Sequence, residues 1–147
     1  MGVDVLTQIE IQRPRAEVAG FSGDPSNATR WYRNIRAVEW ETPPPLAVGS
    51  RLRFRARFMG RTLEYTYEIR ELDPLQRLVM GMSDGPFAME TTYEWADAGA
   101  GTRMTLRNRG EPEGYMRMLS AVIEAGMRRA NRADLARLKA LLEGAHR

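Results

Sequence analysis

Three tyrosines, Tyr65, Tyr67 and Tyr93, with Thr91, Asn108 and Asn131, carry the hydroxyl and amide groups of this sequence most suited to handling a small molecule. Such groups hold carbonyl, enol or enolate oxygens through hydrogen bonds. Trp40 and Trp95 are candidate walls for the same space. Stronger chemistry lacks its residues. His146, next to the last residue, is the only histidine, and chain ends fray. Ser-His-Asp and Cys-His arrangements need a positioned imidazole, and metal triads usually need two. There is no cysteine, which excludes disulfides, thiolate nucleophiles and zinc sites built on sulfur. No metal and no cofactor are expected, and no catalytic residue is assigned. Gly81, Gly85, Gly99 and Gly101 fall in or near strand connections, so no phosphate-binding loop is read from them.

The elements that must position these groups are written in the hydrophobic period. VDVLTQIEI (3–11) alternates, with Val3, Val5, Thr7, Ile9 and Ile11 on one face of a first strand. Arg13-Pro14 ends it. AEVAGF makes a short helix, and Asp24-Pro25 caps a second one that runs through Trp31. A strand over 35–41 and a loop at Pro43-Pro44-Pro45 and Gly49 follow.

RLRFRARF and RTLEYTYEI then alternate about Met59-Gly60 as a hairpin, placing Phe54 opposite Tyr65, Leu52 opposite Tyr67, Arg55 opposite Glu64 and Arg51 opposite Glu68. A short strand over 78–82 leads to FAMETTYEW, which puts Phe87, Met89, Thr91, Tyr93 and Trp95 inward. TRMTLRNR puts Met104, Leu106 and Asn108 inward. Glu64, Glu68, Glu90 and Glu94 then point outward to face arginines, Arg103 opposite Glu94 among them, with Glu39 and Glu41 extending the ladder. Asp73 and Asp84 read as turn formers.

After Gly114 the period changes. Met116, Leu119, Ile123, Met127, Ala130, Leu138 and Leu141 recur at helical spacing between Tyr115 and Glu143, and Asn131 joins Ile123 and Met127 on the inward face. Arg128, Arg129, Arg132 and Arg137 are interspersed with Glu124, Asp134 and Glu143, the pattern of a solvated helix face. Gly126, which costs about 1 kcal/mol relative to alanine inside a helix, is expected where the helix passes close to the sheet or makes room for a ligand.

The fold class is therefore α+β, a curved seven-stranded antiparallel sheet wrapped around a long C-terminal helix, with two short helices between strands 1 and 2. Residues 1–147 read as a single domain, a common domain size. The features Ile11-Gln12-Arg13-Pro14 with Glu17-Val18, the segment from Asp24 to Trp31, Val48-Gly49-Ser50-Arg51, Asp73-Pro74, Gly101-Thr102-Arg103 and Ala133-Asp134-Leu135-Ala136-Arg137-Leu138-Lys139 resemble the helix-grip superfamily over about residues 3–143. That superfamily includes START lipid-transfer domains, the birch-pollen-allergen family and polyketide cyclase/dehydrase-like proteins. The resemblance implies a hydrophobic small molecule held between sheet and helix, and in some members ring-closing or dehydrating chemistry on polyketides.

The expected ligand-binding residues are Tyr65, Tyr67, Tyr93, Trp95, Asn108, Ile123, Met127 and Asn131. Aromatics on a sheet face also serve as plain core, yet each buried hydroxyl needs a partner that a ligand or water can supply. Nine methionines fit either a plastic lining or core filling. Three functions stay open: binding of a lipid or polyketide-like molecule, a cyclase or dehydratase acting through pocket tyrosine and asparagine groups, and a non-catalytic interaction module using the exposed helix surface.

Of 22 basic residues only Lys139 is a lysine, so the pI near 9.7 reflects an arginine bias and no nucleic-acid partner is expected. No run of about 18 apolar residues is present, which argues against stable membrane insertion. The opening Met1-Gly2-Val3-Asp4 lacks the regions of a signal peptide, so a cytoplasmic location is expected. A homodimer is compatible with the sequence.

Overall fold

Alternating side chains give each strand one apolar face, and the strands line those faces up. The computed structural model describes residues 2–58, 60–82 and 88–144, with Phe58 described by its backbone alone. Met59 of the hairpin turn, Asp84, Gly85, Pro86, Phe87 and His146 lie outside the described residues.

The strands are β1 (Val3–Ile11), β2 (Ile35–Trp40), β3 (Arg51–Phe58), β4 (Arg61–Asp73), β5 (Arg77–Met82), β6 (Met89–Ala98) and β7 (Gly101–Gly110). They form one antiparallel sheet in the order β1-β7-β6-β5-β4-β3-β2. Between the edge strands β1 and β2 run α1 (Arg15–Ser22), a 3-10 turn (Pro25–Asn27) and α2 (Ala28–Trp31). Asp24 accepts a hydrogen bond from the Ser26 N–H at 2.9 Å, which caps the second of these. The 25-residue helix α3 (Ser120–Gly144), roughly 37 Å long at 1.5 Å per residue, lies along β1 and against α2.

Register follows the turns. Phe54 pairs with Tyr65, Leu52 with Tyr67, Arg55 with Glu64 and Arg51 with Glu68, as the alternation predicts. Bulges between Ile35 and Ala37 and between Ile69 and Glu71 each insert one residue and bend the sheet. The residue inserted in β4 is Arg70, whose guanidinium lies over Gly81 and pairs with Glu90 at 3.1 Å. A Cβ on Gly81 would collide with Arg70 Cζ, so the absent side chain is what lets the arginine lie flat.

The outer ladder holds in most places. Arg55 meets Glu64 at 3.6 Å, Glu41 meets both Arg51 and Arg53, and Arg107 meets Asp4 at 2.7 Å. Exposed pairs of this kind contribute at most about 1 kcal/mol each. The expected Arg103 to Glu94 pair does not form. The two-residue turn at Gly99 sets Arg103 opposite Ala96, so Glu94 pairs instead with Arg77 at 2.7 Å and Arg103 with Glu10 at 3.8 Å.

Two expectations about the helix also need correction. Residues 114–119 wind as a 3-10 helix, and this tighter turn throws Leu119 off the buried stripe, leaving it 44% exposed. Gly126 is exposed, with nothing within 4 Å of its missing Cβ. It serves neither close packing nor ligand space. The core is built from Ile11, Val18, Trp31, Leu52, Ile69, Leu78, Met104, Leu106, Leu135 and Leu138, all buried between sheet and helices.

Candidate functional site

The core does not fill the space that the bent sheet encloses. A cavity of about 250 Å³ remains between β3 to β7, α2 and the first half of α3. Strand periodicity delivers its floor: Phe54, Leu63, Tyr65, Tyr67, Leu78, Met80, Met82, Met89, Thr91, Tyr93 and Asn108 all project from the concave face. Helical periodicity delivers its roof: Ile123, Met127, Ala130, Asn131 and Asp134 fall on one side of α3. Met116, of the 3-10 turn before α3, joins them. Asn34 and Arg57, both exposed, mark the open end.

Of the eight residues expected from sequence, Tyr65, Tyr67, Tyr93, Asn108, Ile123, Met127 and Asn131 line this cavity together. Trp95 does not. Two residues beyond Tyr93, it is carried about 7 Å further along β6. There it is buried beside α1, its indole N–H donating to Ser22 Oγ at 2.9 Å. Trp95 and Trp40 border a separate cleft against Ala19, Gly20, Leu46, Leu72 and the Pro44-Pro45 loop.

The polar groups form two short networks. Tyr67 and Thr91 hydroxyls lie 3.2 Å apart, and Thr91 donates to Asn108 Oδ1 at 2.9 Å. Tyr32 and Tyr93 hydroxyls lie 2.6 Å apart. The expectation that buried tyrosines require a ligand for satisfaction is thus corrected for Tyr67 and Tyr93, whose partners are protein groups. Among the described residues the Tyr65 hydroxyl makes no hydrogen bond. Asn131 is buried, and its Nδ2 has no partner among the described residues. Burial raises the pKa of all four tyrosines, with Tyr93 acting on Tyr32 and Tyr67 acting on Tyr65 in the same direction. They stay neutral donors at any ordinary pH.

Asp134 and Tyr32 are the residues that sequence reasoning missed. Asp134 is 3% exposed, with Oδ1 accepting from the Arg33 N–H at 3.1 Å. Burial pushes its pKa up to about 6, although that hydrogen bond and the charges of Arg33 and Arg137 pull it down. The solvated-face reading is therefore wrong at Asp134. Its spacing from Asn131 (three) and Met127 (seven) was the available signal, masked by the arginines around it. Tyr32 sits at the end of α2, outside any periodic run, and no pattern announced it.

Among the described residues, no group of three or more His, Cys, Asp or Glu side chains could hold a metal ion, and no helix is long and apolar enough to cross a membrane. The sequence matches the family described as polyketide cyclase / dehydrase and lipid transport over residues 3–143. No curated protein matches it. Solved structures do share its fold. The protein TTHA0849 from Thermus thermophilus is 20% identical with a TM-score of 0.82, covering 97% of this chain and 98% of its own. The Zhui aromatase/cyclase from Streptomyces sp. R1128 is 16% identical with a TM-score of 0.82, covering 100% and 97%. Ara h 8.0201 is 13% identical with a TM-score of 0.74, covering 97% and 99%.

Proposed function

Because the chain belongs to the polyketide cyclase/dehydrase and lipid transport family, we propose that it binds a hydrophobic or aromatic small molecule in the cavity between sheet and α3. The observation that carries this reading is the cavity itself: apolar walls of Leu, Ile, Met and Phe side chains with a few convergent polar groups, the usual composition of a ligand site. An apolar body would lie along Phe54, Met80 and Met127. A hydroxyl or carbonyl on it would reach the Tyr32–Tyr93 pair or Asn131. Native mass spectrometry is expected to show a co-purified small molecule, and an apolar dye should gain fluorescence on titration. Tyr93→Ala should weaken dye binding about tenfold, since it removes both a wall and half of the hydroxyl pair. Trp95 fluorescence is a poor reporter here because its ring lies outside the cavity. Absence of both co-purified ligand and dye response would refute the reading.

A second reading, a cyclase or dehydratase, is favoured by one observation. Asp134 is a buried carboxylate whose raised pKa suits proton transfer near neutral pH, and its charge acts on both Tyr32 and Tyr93. In that chemistry Asp134 removes a proton beside a ketone, and the tyrosine hydroxyls hydrogen-bond the resulting enolate oxygen. Turnover of a poly-β-ketone, lost in Asp134→Asn while dye binding persists, would support it. Binding without turnover leaves the first reading alone.

A further inference from the structure

The open end of the cavity is bordered by an apolar surface that no element among the described residues covers. Tyr115, Met118, Leu119 and Val122 are 77%, 86%, 44% and 70% exposed. They follow one another at spacings of three, one and three along the 3-10 turn and the first turn of α3, so they form one contiguous strip. Ala121, Ala125 and Gly126, also exposed, add no polar group to it. Monomeric proteins seldom leave four large apolar side chains together in water without a use for them.

Charge says what kind of surface fits there. Most of the sheet's outer arginines, Arg51, Arg53, Arg55, Arg70, Arg77, Arg103 and Arg107, have a carboxylate partner, while Arg36 and Arg109, exposed on the edge strand β2 and on β7, are in no ion pair among the described residues. Around the strip and the mouth the pattern reverses. Arg57 and Arg61 at the end of the β3–β4 hairpin, Arg117 within the 3-10 turn, and Arg129, seven residues after Val122, are exposed and in no ion pair among the described residues. The hairpin and the helix share the mouth, since Arg57 and Leu63 line it opposite Met116 and Ile123. Nearby acids are mostly drawn elsewhere. Glu124 accepts from the Asp4 N–H at 3.3 Å, and the Glu111 carboxylate lies beside Gly2, both on the β1 side; among the described residues Glu113, exposed before Tyr115, is the acid that remains next to the strip.

We propose that this strip and its arginine rim dock the protein, cavity mouth first, on the surface of an anionic lipid bilayer. Tyr115, Met118, Leu119 and Val122 insert at the level of the headgroups, and the arginines pair with lipid phosphates and carboxylates. The mouth then opens toward the acyl region, so an apolar molecule can move between bilayer and cavity without crossing water. That last step rests on the ligand-binding reading. Docking does not.

Vesicle co-sedimentation separates the two. The full chain should bind phosphatidylcholine vesicles containing phosphatidylserine, bind pure phosphatidylcholine vesicles at least tenfold more weakly, and release as salt rises. Met118→Glu with Val122→Glu, and separately Arg61→Glu with Arg129→Glu, should each lower binding at least tenfold. None of these residues lines the cavity, so apolar-dye uptake should persist in both variants and would also certify that they fold. Failure to bind the anionic vesicles, or binding unaltered in both variants, overturns the proposal whatever the dye result. So does a stable dimer by light scattering that Met118→Glu and Val122→Glu dissolve, because a second copy would then cover the strip.

Discussion

Asp134→Asn is expected to make the protein more stable at neutral pH and to change little near pH 4. In the folded state the carboxyl has a pKa of about 6, against an ordinary value of 3.8 when solvated. A carboxyl whose pKa is raised by folding binds its proton more tightly in the native state, so stability falls as pH rises from about 4 and levels off above about 7. The separation is about two pKa units at about 1.4 kcal/mol each, so the penalty at pH 7 is on the order of 2–3 kcal/mol. Asparagine keeps an oxygen to accept from the Arg33 N–H and removes the buried charge. Thermal melts of both proteins at pH 4 and pH 7.5 should therefore differ by several degrees only at the higher pH. Equal melting temperatures at both would mean that Asp134 titrates as a solvated acid and is not a buried group of the cavity wall. A native group retained at such a cost is a candidate for function. This is why the same substitution serves as the test of turnover above.

Trp31→Ala should cost about 3–5 kcal/mol, enough to threaten folding of a domain of this size. Trp31 is fully buried and stacks against Tyr32 at 4.1 Å and near Tyr93 at 5.8 Å between ring centroids. It thus holds from behind the two hydroxyls that meet in the cavity. Its indole N–H has no hydrogen-bond partner among the described residues. Trp31→Phe should accordingly cost much less, because the lost area is offset by removing an unsatisfied donor whose burial costs about 1–3 kcal/mol. Urea titration of the two variants measures the contrast. Comparable destabilisation by both would show that ring size rather than burial alone sets the Tyr32 and Tyr93 positions. Where Trp31→Phe folds well, its dye affinity should stay near that of the parent.

Local periodicity by itself determined a large part of this protein. Alternation over 51–58 and 61–72 set Phe54 against Tyr65 and Leu52 against Tyr67, because in a hairpin a one-residue slip would turn every apolar side chain to water. The helical recurrence of Ile123, Met127 and Asn131 put those three on the cavity side for the same reason. Period says which face a residue occupies, but it is silent on how far along the element the cavity extends. Trp95 shares a face with Tyr93 and still lies beyond the cavity, since α1 closes over that end of β6. Periodicity also cannot announce residues outside periodic runs, such as Tyr32, or bulges such as those at Arg36 and Arg70, which bend the sheet and leave the space unfilled. Asp134 marks the boundary between the two kinds of information. Its spacing put it on the inward face, but only the packing of α3 against α2, with the Arg33 N–H directed at its carboxylate, decided that a charged side chain among arginines would be buried.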